Sequence, residues 1–321
     1  MGFREWIEIN SSINSVNSVK QWEHFSEKEE KNQGEIRMDI KYLNASASTA
    51  FHYGRIPYIT FKSFDGLDFV RHGFSTRLGG VSGGIYESMN LCFTRGDKPE
   101  AVSRNFELIG GELGIAPEDM VYAKQTHGVG IMEAGDMHRG MGVVRPRDYD
   151  EVDGLVTNVP GIALVTTYAD CVPVFLADPV CRAIGLVHSG WRGTVRNIVS
   201  AAVDKLKKLY GSKPENIKAF IGPSICKNCY EVGEDVAEQF AKSYGNAAFI
   251  DGILNPIEPF KGKFLLNLHA ANKINLLNAG VLEENIGITD ICTCCNPKLL
   301  FSHRASKGER GGLCGFLQII N

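Results

Sequence analysis

One thiol and one imidazole stand at the two ends of a single apolar hairpin. Cys171 precedes the run Val172 to Ala177, the Asp178-Pro179 pair turns the chain, and Arg182 to Val187 returns it to His188. Paired strands of this kind bring both side chains to one edge of a sheet, where α/β folds tend to build sites. His127, in Lys124-Gln-Thr-His-Gly128 at the end of a strand beginning near Val121, is a third donor for that edge. Two histidines and a cysteine suit zinc, and three protein ligands leave a fourth position open for water or substrate, as catalytic zinc sites do. The same residues also read as a buried thiol and two hydrogen-bonded histidines, because ligands so far apart in sequence have no diagnostic spacing. Asp170, beside the thiol, either orients a ligand through its carboxylate or simply ends a strand.

Anion chemistry is written next to the imidazole. The segment Ser189-Gly-Trp-Arg-Gly-Thr194 follows a strand and opens a helix, so unpaired N–H groups and the positive helix end are expected to face the edge that carries His188. That predicts a phosphate site with Arg192 as clamp and Gly193 beside it. The segment matches neither the Walker A nor the dinucleotide fingerprint, so ATP and NAD are not indicated. The glycine-rich stretch Phe74 to Gly84 offers Ser75 and Arg77 for a second polar or anionic group, or is a flexible loop with a solvated arginine. Gln125, Asp170, His303 and Arg304 complete the expected binding set, the last two from Phe301-Ser-His-Arg304. A rival metal site uses other thiols: Cys226-Lys-Asn-Cys229 is a C-x-x-C, and Cys292-Thr-Cys-Cys295 supplies more. Four thiolates would close a structural zinc, but the second group reads as a thiol cluster that does not repeat the knuckle spacing, so that site is not expected. The zinc nucleobase-deaminase signature is absent, since no histidine is followed two residues later by glutamate.

The elements that must position these residues alternate. Short apolar runs and amphipathic stretches follow one another from Ile56 onward, the pattern of an α/β fold, and the consecutive short strands in the middle suggest a mixed sheet. Helices are expected over Pro99–Leu113, Thr194–Tyr210, Glu234–Tyr244 and Asn267–Asn278, the first with proline at its start and the others ending at glycine. Strands are expected over Leu67–Val70, Val121–Lys124, Ile162–Thr167, Val172–Ala177, Ala183–Val187, Ala219–Ile221 and Leu299–Ser302. Residues 51–321 read as one catalytic domain, and 1–50, rich in Asn, Ser, Glu and Lys, as a mobile N-terminal extension.

With 321 residues, 44% hydrophobic and 22% charged, the chain can bury a full core. A formal net charge of -3 gives no electrostatic reason to expect nucleic acid or an anionic membrane. No apolar run approaches the roughly 18 to 20 residues that cross a bilayer. Nine cysteines, an odd number without a secretory leader, favour reduced thiols and metal ligation in the cytoplasm, with organelle targeting by the extension left open. Nothing in the sequence specifies an oligomeric state.

Taken together, His72-Gly-Phe-Ser-Thr-Arg-Leu-Gly-Gly-Val-Ser82, Gln125-Thr-His-Gly128, Ala169-Asp-Cys-Val-Pro173, His188-Ser-Gly-Trp-Arg-Gly193, Ile221-Gly-Pro-Ser224 with Cys229-Tyr-Glu-Val232, and Phe301-Ser-His-Arg304 resemble the laccase-domain family. This group was once labelled multicopper polyphenol oxidoreductases and is now described as zinc-dependent purine nucleoside phosphorylases. The resemblance implies a single-domain mixed β-sheet sandwich with helices on the outer faces, a cysteine-hydrolase-like fold, and a zinc on His127, Cys171 and His188. It also implies phosphorolysis of adenosine, inosine and S-methyl-5'-thioadenosine to the base and a ribose 1-phosphate, with phosphate as co-substrate, and deamination of adenosine to inosine. Two departures stand out: Ala305 where the family carries a second arginine, and Gly311-Gly-Leu-Cys-Gly315 where relatives carry a further one, which leaves the role of Arg310 open. The competing functions are a thiol or zinc amidohydrolase of the peptidoglycan-editing type, with His188 activating Cys171, and, less favoured, a copper polyphenol oxidase. Against copper, none of the eight histidines forms an H-x-H pair. A non-enzymatic nucleotide binder is the remaining reading.

Overall fold

The apolar runs become strands buried along their length. The computed structural model describes residues 39–258 and 262–320. Its strands are, in chain order, β1 (Thr49–His52), β2 (Tyr58–Phe61), β3 (Val70–Ser75), β4 (Met120–Tyr122), β5 (Ile131–Glu133), β6 (Gly154–Thr157), β7 (Ala163–Tyr168), β8 (Val172–Asp178), β9 (Ala183–Ser189), β10 (Lys218–Ile221), β11 (Glu231–Gly233), β12 (Leu254–Glu258), β13 (Lys263–Leu266), β14 (Ile286–Ile288) and β15 (Leu313–Ile319). One six-stranded sheet runs β1-β2-β3-β15-β7-β4, a second runs β14-β10-β8-β9-β6-β5, and β11-β13-β12 form a small third sheet. Parallel and antiparallel pairs occur in both large sheets, so the fold is mixed α/β as expected.

The two large sheets face each other across a core of aromatic rings. Phe61, Phe74 and Leu317 of the first sheet share one buried cluster with Phe175, Leu186 and Phe220 of the second. The Phe61 ring stacks on Phe220 at 4.1 Å and meets Phe175 edge-on at 4.7 Å, geometries that aromatic quadrupoles favour. Gly315 sits where an added Cβ would lie 2.9 Å from the Phe175 ring, so only glycine lets β15 close on the opposite sheet there.

Helices cover both outer faces. Helix α1 (Pro99–Leu113) starts at proline and stops at Gly114, whose φ of 67° is the left-handed conformation that glycine adopts freely. Its Val102, Phe106 and Ile109 recur at helical spacing and pack on Val165 and Phe316 of the first sheet. The expected helix over 194–210 is two: α2 (Trp191–Val195) and α3 (Ile198–Tyr210). Asn197, at φ 58°, breaks the run and caps α3 by accepting from Ser200 N. The remaining helices are α4 (Glu234–Tyr244), α5 (Ala247–Ile250) and α6 (Leu268–Asn278). α3 and α6 pack on the outer face of the second sheet through Val199, Val203 and Leu276 against Val174, Leu176 and Val187.

Two expected strands are corrected. Leu299–Ser302 is a turn, not a strand, and of Leu67–Val70 only Val70 enters β3. The extension expected over 1–50 lies outside the described residues for its first 38 positions, and the described residues after them are hydrogen-bonded to the segment around Asp290. Lys41 N donates to Asn296 Oδ1 at 2.8 Å and Leu43 N to Asp290 O at 2.7 Å, while Thr49 Oγ1 donates to Asp290 Oδ1 at 2.6 Å. Among the described residues no helix is long and apolar enough to cross a membrane.

Candidate metal centre

Strand register assembles the centre. β8 pairs with β9 so that Pro173 faces His188, which sets Cys171 beside the turn that follows β9. β6 pairs with the other side of β9, Gly154 facing Val187, and His188 N donates to Asp153 O at 2.7 Å. The nitrogen and sulfur donors of His127, Cys171 and His188 all lie within 4.8 Å of one another. Cys171 Sγ is 3.9 Å from His127 Nε2, and the two imidazoles meet edge to face at 4.9 Å. A four-coordinate zinc holds such donors about 3.5 Å apart, a small side-chain rotation away. The cradle is real: a Cβ on Gly190 would lie 3.0 Å from His127 Cδ2, 3.1 Å from Cys171 Sγ and 3.6 Å from His188 Cε1, so a glycine here keeps that space free. Donor chemistry and shape both fit a metal.

A residue the sequence reading missed organises the set. Asp153 is fully buried, and its Oδ1 pairs with His188 Nδ1 at 2.9 Å. That bond fixes the tautomer with Nδ1 protonated and leaves Nε2 as a donor. The same carboxylate accepts from the backbone N–H groups of Thr126, His127 and Gly128 at 2.8 to 3.0 Å. These bonds hold His127 at φ 62°, a conformation costly for a non-glycine residue unless its surroundings enforce it. The role expected of Asp170 is therefore filled by Asp153. The one sequence signal is a carboxylate immediately ahead of the short run Gly154-Leu-Val-Thr157, which spacing rules do not weigh.

Charge inside the centre is paired. Burial pushes the Cys171 thiol up, but His188 first and then the hydrogen bond from His127 outweigh it and hold the thiol at about 6. Burial lowers His188, and the opposing pull of Cys171 and Asp153 raises it to about 9. Without metal the pair is a thiolate and an imidazolium near neutral pH.

The other expected site residues divide. Ser75, expected as a ligand contact, is fully buried, and its Oγ accepts from Cys314 N at 2.9 Å, which engages it inside the first sheet. Arg77 is also spoken for: Nε donates to Glu87 O and Nη1 to Pro297 O, both at 2.8 Å, and the guanidinium lies over the Phe301 ring. Gln125 is stapled to β7 through both ends of its amide, to Thr167 O and from Thr167 N at 2.8 Å. Asp170, at φ 87°, accepts from Thr293 Oγ1 at 2.6 Å and from Arg304 N at 2.7 Å, which ties two loops together instead of orienting a ligand.

Arg192 is exposed and stacks over Trp191 at 4.3 Å. Helix α2, in whose first turn it lies, is only five residues long, so the dipole expected to hold phosphate is weak. Gly193 serves packing: a Cβ there would sit 3.2 Å from Gly128 O. Arg304 stacks on Tyr230 and donates to Glu231 O at 2.9 Å, while His303 is exposed. Arg310, whose role the sequence leaves open, is a further cation near this centre. Burial, with repulsion from Arg95, lowers it to about 10, while Cys92, Asp170 and Cys171 attract it, and its buried Nε has no hydrogen-bond partner.

A family model described as multi-copper polyphenol oxidoreductase laccase matches residues 71–320. The chain is 33% identical over 249 residues to purine nucleoside phosphorylase YlmD of Bacillus subtilis (strain 168), covering 76% of this chain and 87% of that one. It is 35% identical over 248 residues to adenosine deaminase RL5 of an unknown prokaryotic organism, covering 76% and 90%. The crystal structure of Bacillus licheniformis hypothetical protein YfiH superposes with a TM-score of 0.78 at 31% identity, covering 84% of this chain and 98% of that one. By the span of the match and by the shared fold, the chain belongs to the multi-copper polyphenol oxidoreductase laccase family.

Proposed function

We propose that this protein is a zinc-dependent purine nucleoside enzyme that phosphorolyses adenosine, inosine and S-methyl-5'-thioadenosine and deaminates adenosine to inosine. The observation that carries this reading is the convergence of His127, Cys171 and His188 around the space that Gly190 keeps free, within electrostatic reach of the partly buried Arg310. The names of the relatives from Bacillus subtilis and the unknown prokaryote supply the substrate class. When bound, zinc supplies Lewis acidity, enough to make water a nucleophile near neutral pH. Asp153, bonded to His188 Nδ1, leaves Nε2 as the nitrogen that would ligate a bound ion, and Arg310 and Arg192 offer positive charge to phosphate. In phosphorolysis a phosphate oxygen bonds to C1′ as the C1′–N9 bond breaks and N9 gains a proton. In deamination water adds at C6 and ammonia leaves. Copper oxidase chemistry is disfavoured by the donors: among the described residues only this set and one of four cysteines gather as candidate ligands. The nine cysteines all stand as free thiols, which suits a cytoplasmic enzyme.

Purified protein, with its metal assayed in the same sample, is incubated with adenosine with and without phosphate. Adenine only with phosphate, and inosine in both, is the expected product pattern, with Cys171→Ala losing both. Absence of purine products from protein whose His127-Cys171-His188 site is loaded overturns the reading.

One observation favours a second reading, a thiol hydrolase. Cys171, His188 and Asp153 line up as nucleophile, base and orienting carboxylate. Activity on an amide that survives complete zinc removal and is abolished by iodoacetamide would select it.

A further inference from the structure

We propose that Cys226, Cys229, Cys292 and Cys295 hold a second zinc ion, four-coordinate and closed to substrate, that fastens the loop bearing Thr293 beneath the candidate metal centre. Cys294 masks the decisive spacing. Counted from Cys292 to Cys295, the second thiol group is itself a C-x-x-C, so the chain carries two such turns and the spacing is repeated. The fold brings the two turns together. All four sulfurs lie within 4.8 Å of one another, with Cys229 Sγ 3.5 Å and Cys226 Sγ 4.0 Å from Cys295 Sγ. Zinc–sulfur bonds of about 2.3 Å at tetrahedral angles place sulfurs about 3.8 Å apart, between those two distances. Sulfurs bound to the corners of an iron–sulfur cluster stand farther apart, which argues for a single ion. The four cysteines are unbridged, and Cys226 N donates to Cys292 Sγ at 3.2 Å, the kind of bond that stabilises a ligating thiolate. Cys294 lies between two of the ligands yet falls outside the group.

The location gives the ion its purpose. The two turns are 66 residues apart at Cys229 and Cys295, and both lie outside the named strands. One isolated bridge, Ser224 to Cys292, joins them, with Thr293 N donating to Ser224 O at 3.1 Å. Thr293 Oγ1 then donates to Asp170, the neighbour of Cys171, and Ile225 N donates to Asp170 O at 3.0 Å. A metal crosslink here supplements the few backbone hydrogen bonds between these loops, and it holds the Asp170 carboxylate in place beside Cys171.

The test counts metal on the full chain. Zinc is measured in the untreated protein and in Cys171→Ala, Cys229→Ser and Cys294→Ser variants. Two zinc ions per chain are expected in the parent and in Cys294→Ser, and one in each of the other two. Cobalt exchanged into Cys171→Ala should show intense sulfur-to-metal charge transfer of a tetrathiolate centre. That measurement needs no change to the four cysteines, so it decides the matter even where Cys229→Ser fails to fold. Cys171→Ala protein free of metal, iron in place of zinc at the four thiols, or a Cys229–Cys295 disulfide in unreduced protein overturns the proposal. None of these outcomes depends on which substrate the centre above turns over.

Discussion

Glycine 190 has the least chemistry of any residue in the centre and one of the tightest requirements. Gly190→Ala places a methyl group 3.0 to 3.6 Å from all three donor side chains. Misplacement of about 1 Å at a reacting centre costs on the order of 100-fold in rate. Nucleoside turnover of Gly190→Ala is expected to fall by about that much while circular dichroism stays unchanged. Retained turnover would show that the donors do not close on a common point. The Cys171–His188 pair gives a pH signature in chelated protein. The thiol, held at about 6 below an ordinary value of 9.0, contributes stability that is lost as pH falls through about 6. The imidazole, raised from 6.5 to about 9, contributes stability that is lost as pH rises through about 9. Metal-free protein is therefore expected to melt highest between about pH 6 and 9, and Cys171 to be alkylated by iodoacetamide with a midpoint near 6. A midpoint near 9 would mean that the ion pair does not form.

At the scale of elements, the segment around His127 is held to β6 and β9 chiefly by one carboxylate. Asp153→Asn keeps the shape but halves the acceptor capacity that the N–H groups of residues 126–128 and His188 share. Loss of such an orienting partner weakens metal binding by about 10 to 100-fold, and a zinc titration against a competing chelator is expected to read that shift, with Asp170→Asn leaving it small. This contrast also marks what the sequence could and could not convey. The β8–β9 hairpin, α1 and α4 were legible because apolar periodicity and their Pro and Gly boundaries act locally. Asp153 and Arg310 were not, because their roles arise from strand register and from burial between loops far apart in the chain. The break at Asn197 was hidden by the apolar pattern that runs through it, and only the residue's left-handed backbone reveals two helices. The two C-x-x-C turns are present in the sequence, but Cys294 blurs the count of the second and only the fold brings them together.

For the whole molecule, stability should concentrate where the two sheets meet. The Phe61 ring touches Phe64, His72, Phe175 and Phe220 and is fully buried. Phe61→Ala is expected to cost about 3 to 5 kcal/mol in urea unfolding, with metal content per folded chain unchanged. A loss under 1 kcal/mol would mean that the sheets are held together elsewhere. The order of strands in the first sheet has a different consequence, for how the protein is made. β15 lies between β3 and β7, and the bond from Thr167 Oγ1 to Leu313 O spans 146 residues. During vectorial synthesis the inner edges of β3 and β7 emerge long before the strand that joins them, and each presents unpaired backbone and apolar side chains meanwhile. A nascent chain stalled just ahead of Leu313 should therefore be the species that engages chaperones and is cut most readily by protease, and release of the β15 segment should be the event that ends both.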